Sequence, residues 1–202
     1  FRPDVDPDLI ARVRDRYALP ERFILTVGTI EPRKNHTTLV EAFASLRSRH
    51  PEVGLVIAGA RGWLYDRFFE RVRALALDEH IVFTGHVPDE DMPALLNAAE
   101  AFAFPSEFEG FGLPPLEAMA CGIPVASSDA ASLPEVVGDA GMLIAPRDVA
   151  GWVQALDRLL GDAPLRAEFA ARGRARARRF SWDTAAERTI EVYRSVMTGV
   201  RS

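Results

Sequence analysis

The feature that most constrains how this chain can fold is an alternation. Short apolar runs, each closed by small or polar residues, take turns with stretches of helical period. "RFILTVG" is followed by "NHTTLVEAFASLRSRH", where Leu39, Val40, Phe43 and Leu46 recur at helical spacing. "VGLVIAG" precedes the amphipathic "YDRFFERVRALA", and "IVFTG" precedes "DEDMPALLNAA". "AFAFPS", "PVASS" and "GMLIAP" are further strands, set off by "PPLEAMACG" and "SLPEVVG" as helices, and from Asp148 the chain reads as helical almost to its end. Continuous apolar strands alternating with helices predict βαβ units and a parallel sheet covered on both faces. In such sheets ligands sit beyond the carboxyl ends of the strands. The loops to watch are therefore "GTIEPRKN", "GARGW", "GHVPDE", "PSEFEGFG" and "SSDAAS".

Composition narrows the function classes. At 202 residues and 48% hydrophobic, the chain can build its core without disulfide or metal. A net charge of −5 argues against nucleic acid as a partner, and the single cysteine, Cys121, excludes an internal disulfide and fits a reducing compartment. With no span-length apolar stretch and no signal-peptide pattern, a cytoplasmic location is the expectation. The opening "FRPDVDPD" reads as a linker, as if cut from something longer.

The stretch "EFEGFGLPPLEAMACGIPV" carries the most chemistry. Pro114 and Pro115 suit the first turn of a helix, and Gly110 and Gly112 let backbone approach a ligand closely. Free N–H groups and a positive helix end there are ready for a phosphate. Glu117, within about the first turn, would repel a phosphate but could accept two hydrogen bonds from a sugar diol. Singly, Glu109 and Glu117 are better explained as helix-start acids favoured by the dipole. Arg33 and Lys34 shift the balance: at the end of the first strand they face the same edge and could neutralise a diphosphate. Alone, they would read as a solvated pair.

Other chemistries lack their signatures. No GxGxxG, GxxxxGK[ST] or GxSxG is present, and the four histidines show no metal-ligand spacing. Of two acidic triplets, Asp4-Val5-Asp6 falls in the linker and Asp89-Glu90-Asp91 reads as a helix cap. The arginine run from Arg166 through Arg179 reads as a solvated helix face, with attraction to an anionic membrane as the lesser alternative. Trp152 and Trp182 read as anchors for the last helices, and Cys121 as a core residue.

Taken in order, "VGTIEPRKN", "GWLYD", "FTGHV", the E-x7-E pair Glu109 and Glu117, and "SLPEVVGDAG" resemble the C-terminal, donor-binding domain of the retaining GT-B glycosyltransferases, in their mannosyltransferase-like branch. The resemblance covers nearly the whole chain. It implies a Rossmann-like C-terminal half with a helical extension. Residues 1–20 would be an interdomain linker, 21–180 the nucleotide-sugar domain, and 181–202 a crossover helix, the N-terminal acceptor domain being absent. It implies transfer of a hexose from a nucleotide-diphosphate sugar with retention, without metal or other cofactor.

By the same resemblance Glu117 binds the ribose, Glu109 the donor hexose near its anomeric carbon, and Lys34 with Arg33 the departing diphosphate. Backbone N–H groups of Phe111, Gly112 and Leu113 complete the anion site. His86 and Val87 lie near the base, while Gly59, Arg61 and Gly62 border the sugar–phosphate end. One departure stands out: where many members carry an arginine after the first strand's glycine, this chain has Thr29, and Arg33 would supply the charge. "PRKN" and "GWLYD" lean towards GDP-mannose, with UDP- and ADP-sugars as alternatives. The full-length enzyme could touch the inner membrane face peripherally; the isolated chain would be inactive or weakly active. A non-catalytic nucleotide-sugar-binding module and a nucleotide-sugar epimerase are the competing readings.

Overall fold

The computed structural model describes residues 1–197. Six strands form one parallel sheet: β1 (Arg22–Val27), β2 (Val53–Ala58), β3 (Ile81–Gly85), β4 (Ala101–Phe104), β5 (Val125–Ser128) and β6 (Met142–Ile144), in the order β3-β2-β1-β4-β5-β6. Strands β2, β4 and β5 are buried at every position, which is why they read as continuous apolar runs rather than alternating ones. Side-chain alternation along β1 still divides the core. Ile24 faces the layer of α2 (His36–Leu46), α3 (Asp66–Ala74) and α7 (Val149–Gly161). Phe23 and Leu25 face the layer of α1 (Pro7–Arg16), α4 (Met92–Ala98), α5 (Leu113–Cys121) and α6 (Leu133–Val137). Helices α8 (Ala163–Ala177) and α9 (Trp182–Met197) follow. The predicted Rossmann-like architecture, C-terminal extension included, is what the chain adopts.

Strand order reverses at β1, whose neighbours are β2 and β4. The loops leaving β1 and β4 diverge to opposite faces and open a crevice between them, the usual ligand position in such sheets.

The structure refines the sequence readings in several places. Within the residues expected as linker, Pro7–Arg16 form α1, begun by Pro7 and by the Asp6 carboxylate, which accepts from the Asp8 N–H at 3.0 Å. The acid read as a cap, Asp91, makes no such bond to its helix. It is buried and accepts from the Tyr17 hydroxyl at 2.9 Å and from Arg16, tying α1 to α4.

The arginine run is not simply a solvated face either. Arg166 donates to the carbonyls of Leu159 (2.7 Å) and Leu160 (3.0 Å) at the end of α7. Arg176 donates to those of Glu135 and Val136 in α6. Both satisfy helix carbonyls that lack partners of their own. Trp152 anchors α7, fully buried with its indole donating to the Ala145 carbonyl at 3.2 Å. Trp182 anchors nothing, being 80% exposed.

Candidate functional site

Glu109 is the hub. It lies in the loop between β4 and α5, and three donors from two loops converge on its Oε1. Lys34 Nζ is 2.7 Å away, the Ser106 hydroxyl 2.6 Å, and Arg33 Nη1 3.1 Å. Burial, the largest single influence, pushes the Glu109 carboxyl up; the Lys34 and Ser106 hydrogen bonds and the charges of Lys34 and Arg33 outweigh it, holding the group below the ordinary carboxylate value. Glu109 is therefore ionised at neutral pH.

The loop after β1 delivers the cations. A single 3-10 turn, Pro32–Lys34, ends at Asn35, which takes a left-handed conformation (φ 53°, ψ 34°) before α2 begins. Lys34 folds back across Gly28, where an added Cβ would lie 3.3 Å from its Cδ and Cε. Its ammonium rests 5.2 Å from the centre of the Phe104 ring. Asn35 is the latch of the site, and its role was not read from the sequence. Its amide donates to the carbonyls of Pro105 (3.1 Å) and Pro146 (2.7 Å), joining the loops after β1, β4 and β6. Ser106 and Ser132 were missed too; the Ser132 hydroxyl donates to the carbonyls of Glu109 (3.0 Å) and Phe111 (2.7 Å) and shapes the turn into α5. Only their place in the quoted loops could have hinted at them.

The start of α5 has the anticipated form. Gly112 adopts φ 109°, and an added Cβ would sit 2.7 Å from Leu133 Cδ2, so only glycine fits there. The N–H groups of Phe111, Gly112 and Leu113 donate to no group among the described residues, and Pro114 and Pro115 have none to donate. Phe111 and Leu113 are exposed, and the Phe111 ring meets that of Phe180 edge-on. Glu117 lies on the second turn of α5, not the first. Half-buried, it makes no hydrogen bond among the described residues, and burial raises its carboxyl above the usual value. The N-terminal ammonium opposes that rise, and the Asp89 charge, from the loop after β3, adds to it.

The remaining candidates divide. Thr29 and His86 are exposed, whereas Val87 is buried in the core and presents no side chain to a ligand. Gly59 and Gly62 are required for close packing: a Cβ would fall 2.1 Å from the Gly28 carbonyl oxygen and 2.6 Å from Thr29 Cγ2, respectively. The Arg61 guanidinium lies over the ring of Phe69 on α3 (4.7 Å) and that of Tyr65 just before it (5.7 Å).

A cavity of about 500 Å³ opens between the loops after β1 and β2, lined among others by Glu31, Pro32, His36, Leu64, Tyr65 and Phe68. It adjoins the Glu109 cluster through Glu31, but Lys34, Glu109 and Glu117 do not line it. His36, beside it, is buried and held neutral, its ring pushed down to about 4 by burial and by the Lys34 charge. Among the described residues no three His, Cys, Asp or Glu side chains group as metal ligands, and no helix is long and apolar enough to cross a membrane.

A parallel sheet in this strand order sets paired cations and two carboxylates at its switch point, where ligands of such sheets bind. The sequence profile of the family described as "Glycosyl transferases group 1" matches residues 12–176, and the chain belongs to that family. It is 43% identical over 187 residues to the O-antigen chain mannosyltransferase B of Escherichia coli, covering 90% of this chain and 48% of that protein. Against the serotype-specific mannosyltransferase WbdA of the same organism it is 36% identical over 193 residues, covering 93% of this chain and 23% of that one. It thus spans less than half the length of these curated relatives. The sucrose-phosphate synthase of Thermosynechococcus elongatus superposes with a TM-score of 0.84 at 29% identity, over 98% of this chain and 50% of that one. The fold is that of the GT-B glycosyltransferases.

Proposed function

We propose that this chain is the donor-binding half of a retaining glycosyltransferase, holding a nucleotide-diphosphate hexose for transfer to an acceptor borne by an N-terminal domain. The observation that carries the proposal is Glu117: a half-buried carboxylate with no hydrogen-bond partner, at the strand edge where ligands bind. Burial disfavours its charged form, and the vicinal hydroxyls of a ribose would give that carboxylate the donors the protein does not.

In this reading Glu117 accepts from the ribose diol, and His86 with the adjoining Val87 backbone borders the base. The diphosphate lies against the free N–H groups of Phe111, Gly112 and Leu113 and draws Lys34 and Arg33 towards itself. Those cations then share their interactions between Glu109 and the phosphates, and Glu109 gains capacity to accept from hexose hydroxyls. As the bond to the anomeric carbon breaks, charge grows on the departing diphosphate, where fixed cations and N–H dipoles stabilise it most. Charge stabilisation by Lys34 and Arg33 makes a metal unnecessary.

Residues 1–20 would link the domains, 21–180 bind the donor and 181–202 cross back, the last five of these lying outside the described residues. The exposed apolar side chains of α9, Trp182, Ile190, Tyr193 and Val196, suit contact with the acceptor domain. The names of the two Escherichia coli relatives favour mannose, and with it GDP, over UDP- or ADP-sugars. A cytoplasmic enzyme, with peripheral contact at the inner membrane face, completes the reading.

Calorimetric titration of the chain with GDP, UDP and ADP tests it. One nucleotide should bind, and Glu117→Ala and Lys34→Ala should each weaken it at least about tenfold, or ~1.4 kcal/mol. Binding unaffected by either substitution would contradict it.

A further inference from the structure

One acidic residue, Glu31, has no part in the family reading, yet it is built into the site. Its side chain is largely buried, and each carboxylate oxygen has one fixed partner. Arg33 Nη2 donates to Oε1 at 2.7 Å and the Trp63 indole N–H donates to Oε2 at 3.0 Å. The other terminal nitrogen of Arg33, Nη1, donates to the Phe108 carbonyl at 2.7 Å and to Glu109 at 3.1 Å. A single line of polar contacts therefore runs from the aromatic loop after β2, through Glu31 and Arg33, to Glu109. The loop is bound to the same backbone: Ile30 bridges Arg61, and the Gly62 N–H donates to the Ile30 carbonyl at 3.1 Å.

We propose that Glu31 is a positioning residue for Arg33, and that Trp63, through Glu31, senses whether an anion has engaged that arginine. The inference rests on the donor-site reading, because it takes a diphosphate as the anion. Glu31 and Glu109 hold the guanidinium from opposite ends. A long arginine side chain pinned this way loses less rotamer freedom when it meets a phosphate. When the phosphate takes a share of the guanidinium, the Arg33–Glu31 bond loosens and the charge beside the indole changes.

Simple electrostatics makes the opposite forecast for Glu31, since deleting a negative charge beside an anion site strengthens anion binding. That contrast makes the idea decidable.

The experiment uses the chain carrying Trp182→Phe, so that emission reports exposed Trp63 against the buried reference Trp152. Inorganic pyrophosphate and GDP are the probes, each followed by calorimetry and by Trp63 emission, with Glu31→Ala and Glu31→Gln added in the same background. The expected result is a saturable emission change at the calorimetric midpoint. Glu31→Ala should lose that change and bind about tenfold more weakly, the scale of one charge-assisted hydrogen bond. Glu31→Gln, which keeps an acceptor for Arg33, should restore binding. Silent Trp63 emission in a chain that binds the probes would overturn the proposal alone. So would Glu31→Ala binding as tightly as the parent, or Glu31→Gln failing to restore it. If calorimetry finds no binding of either probe by the parent chain, the donor-site reading falls and takes this proposal with it.

Discussion

Glu109 and Glu117 sit seven residues apart in the intervening sequence and meet opposite fates. Glu109 is surrounded by donors, and its carboxyl is held below the ordinary value despite burial. By linkage it contributes stability that is present above the unfolded carboxylate pKa and lost as pH falls through its depressed value. Glu117 is half-buried without a donor, and burial raises it. The fold favours its protonated form, a contribution present below the unfolded value and lost as pH rises through the raised one. At neutral pH Glu117 therefore burdens the fold. Glu117→Gln should raise the melting temperature at pH 7, with the gain vanishing near pH 4, while weakening nucleotide binding. Melting curves at the two pH values check the first part and calorimetry the second; an unchanged or lowered melting temperature at pH 7 would count against it. The E-x7-E pair was legible in sequence, but this inequality was not. It depends on Lys34 and Ser106 reaching one carboxylate and no donor reaching the other, and side-chain contacts are not written in spacing.

At the scale of elements, the strands were legible because burial on both faces leaves their composition no freedom. Helix α5 was legible because the glycines and prolines at its ends have conformational jobs that few other residues can do. Less visible was what holds loops to one another. Asn35 contacts carbonyls of the loops after β4 and β6, far along the chain, and α1 was masked by a proline- and aspartate-rich opening whose helix-starting role emerges only against α4. The arginine run looked like a solvated surface because the hydrogen bonds of Arg166 and Arg176 go to backbone carbonyls, which carry no side-chain signature.

Asn35 gives the sharpest test here. Asn35→Ala leaves buried carbonyls unpaired and forces a Cβ-bearing residue without Asn's local hydrogen bonding into the left-handed region. It should cost about 2–4 kcal/mol in urea denaturation, with Asn35→Gly about 1 kcal/mol milder because the backbone strain is absent. Equal stability of all three chains would show that the latch does nothing.

On the whole-molecule scale, one sheet separates two cores and brings the site to its switch point, so the loops after β1 and β4 are positioned by the two central strands of the sheet. The last helix, α9, takes no part in either core, and its apolar side chains stand exposed, in keeping with the proposed contact to an acceptor domain. The central claim is narrower than this architecture: a nucleoside diphosphate binds with its ribose on Glu117 and its phosphates between Lys34, Arg33 and the start of α5. Determining the structure of the chain with bound GDP tests it most directly. The account predicts ribose hydroxyls within hydrogen-bond distance of the Glu117 carboxylate, about 2.5–3.0 Å, and phosphate oxygens on Lys34 and the Phe111–Leu113 N–H groups. Nucleotide seated instead in the cavity beside His36 and Tyr65, with Glu117 left without a partner, would contradict it.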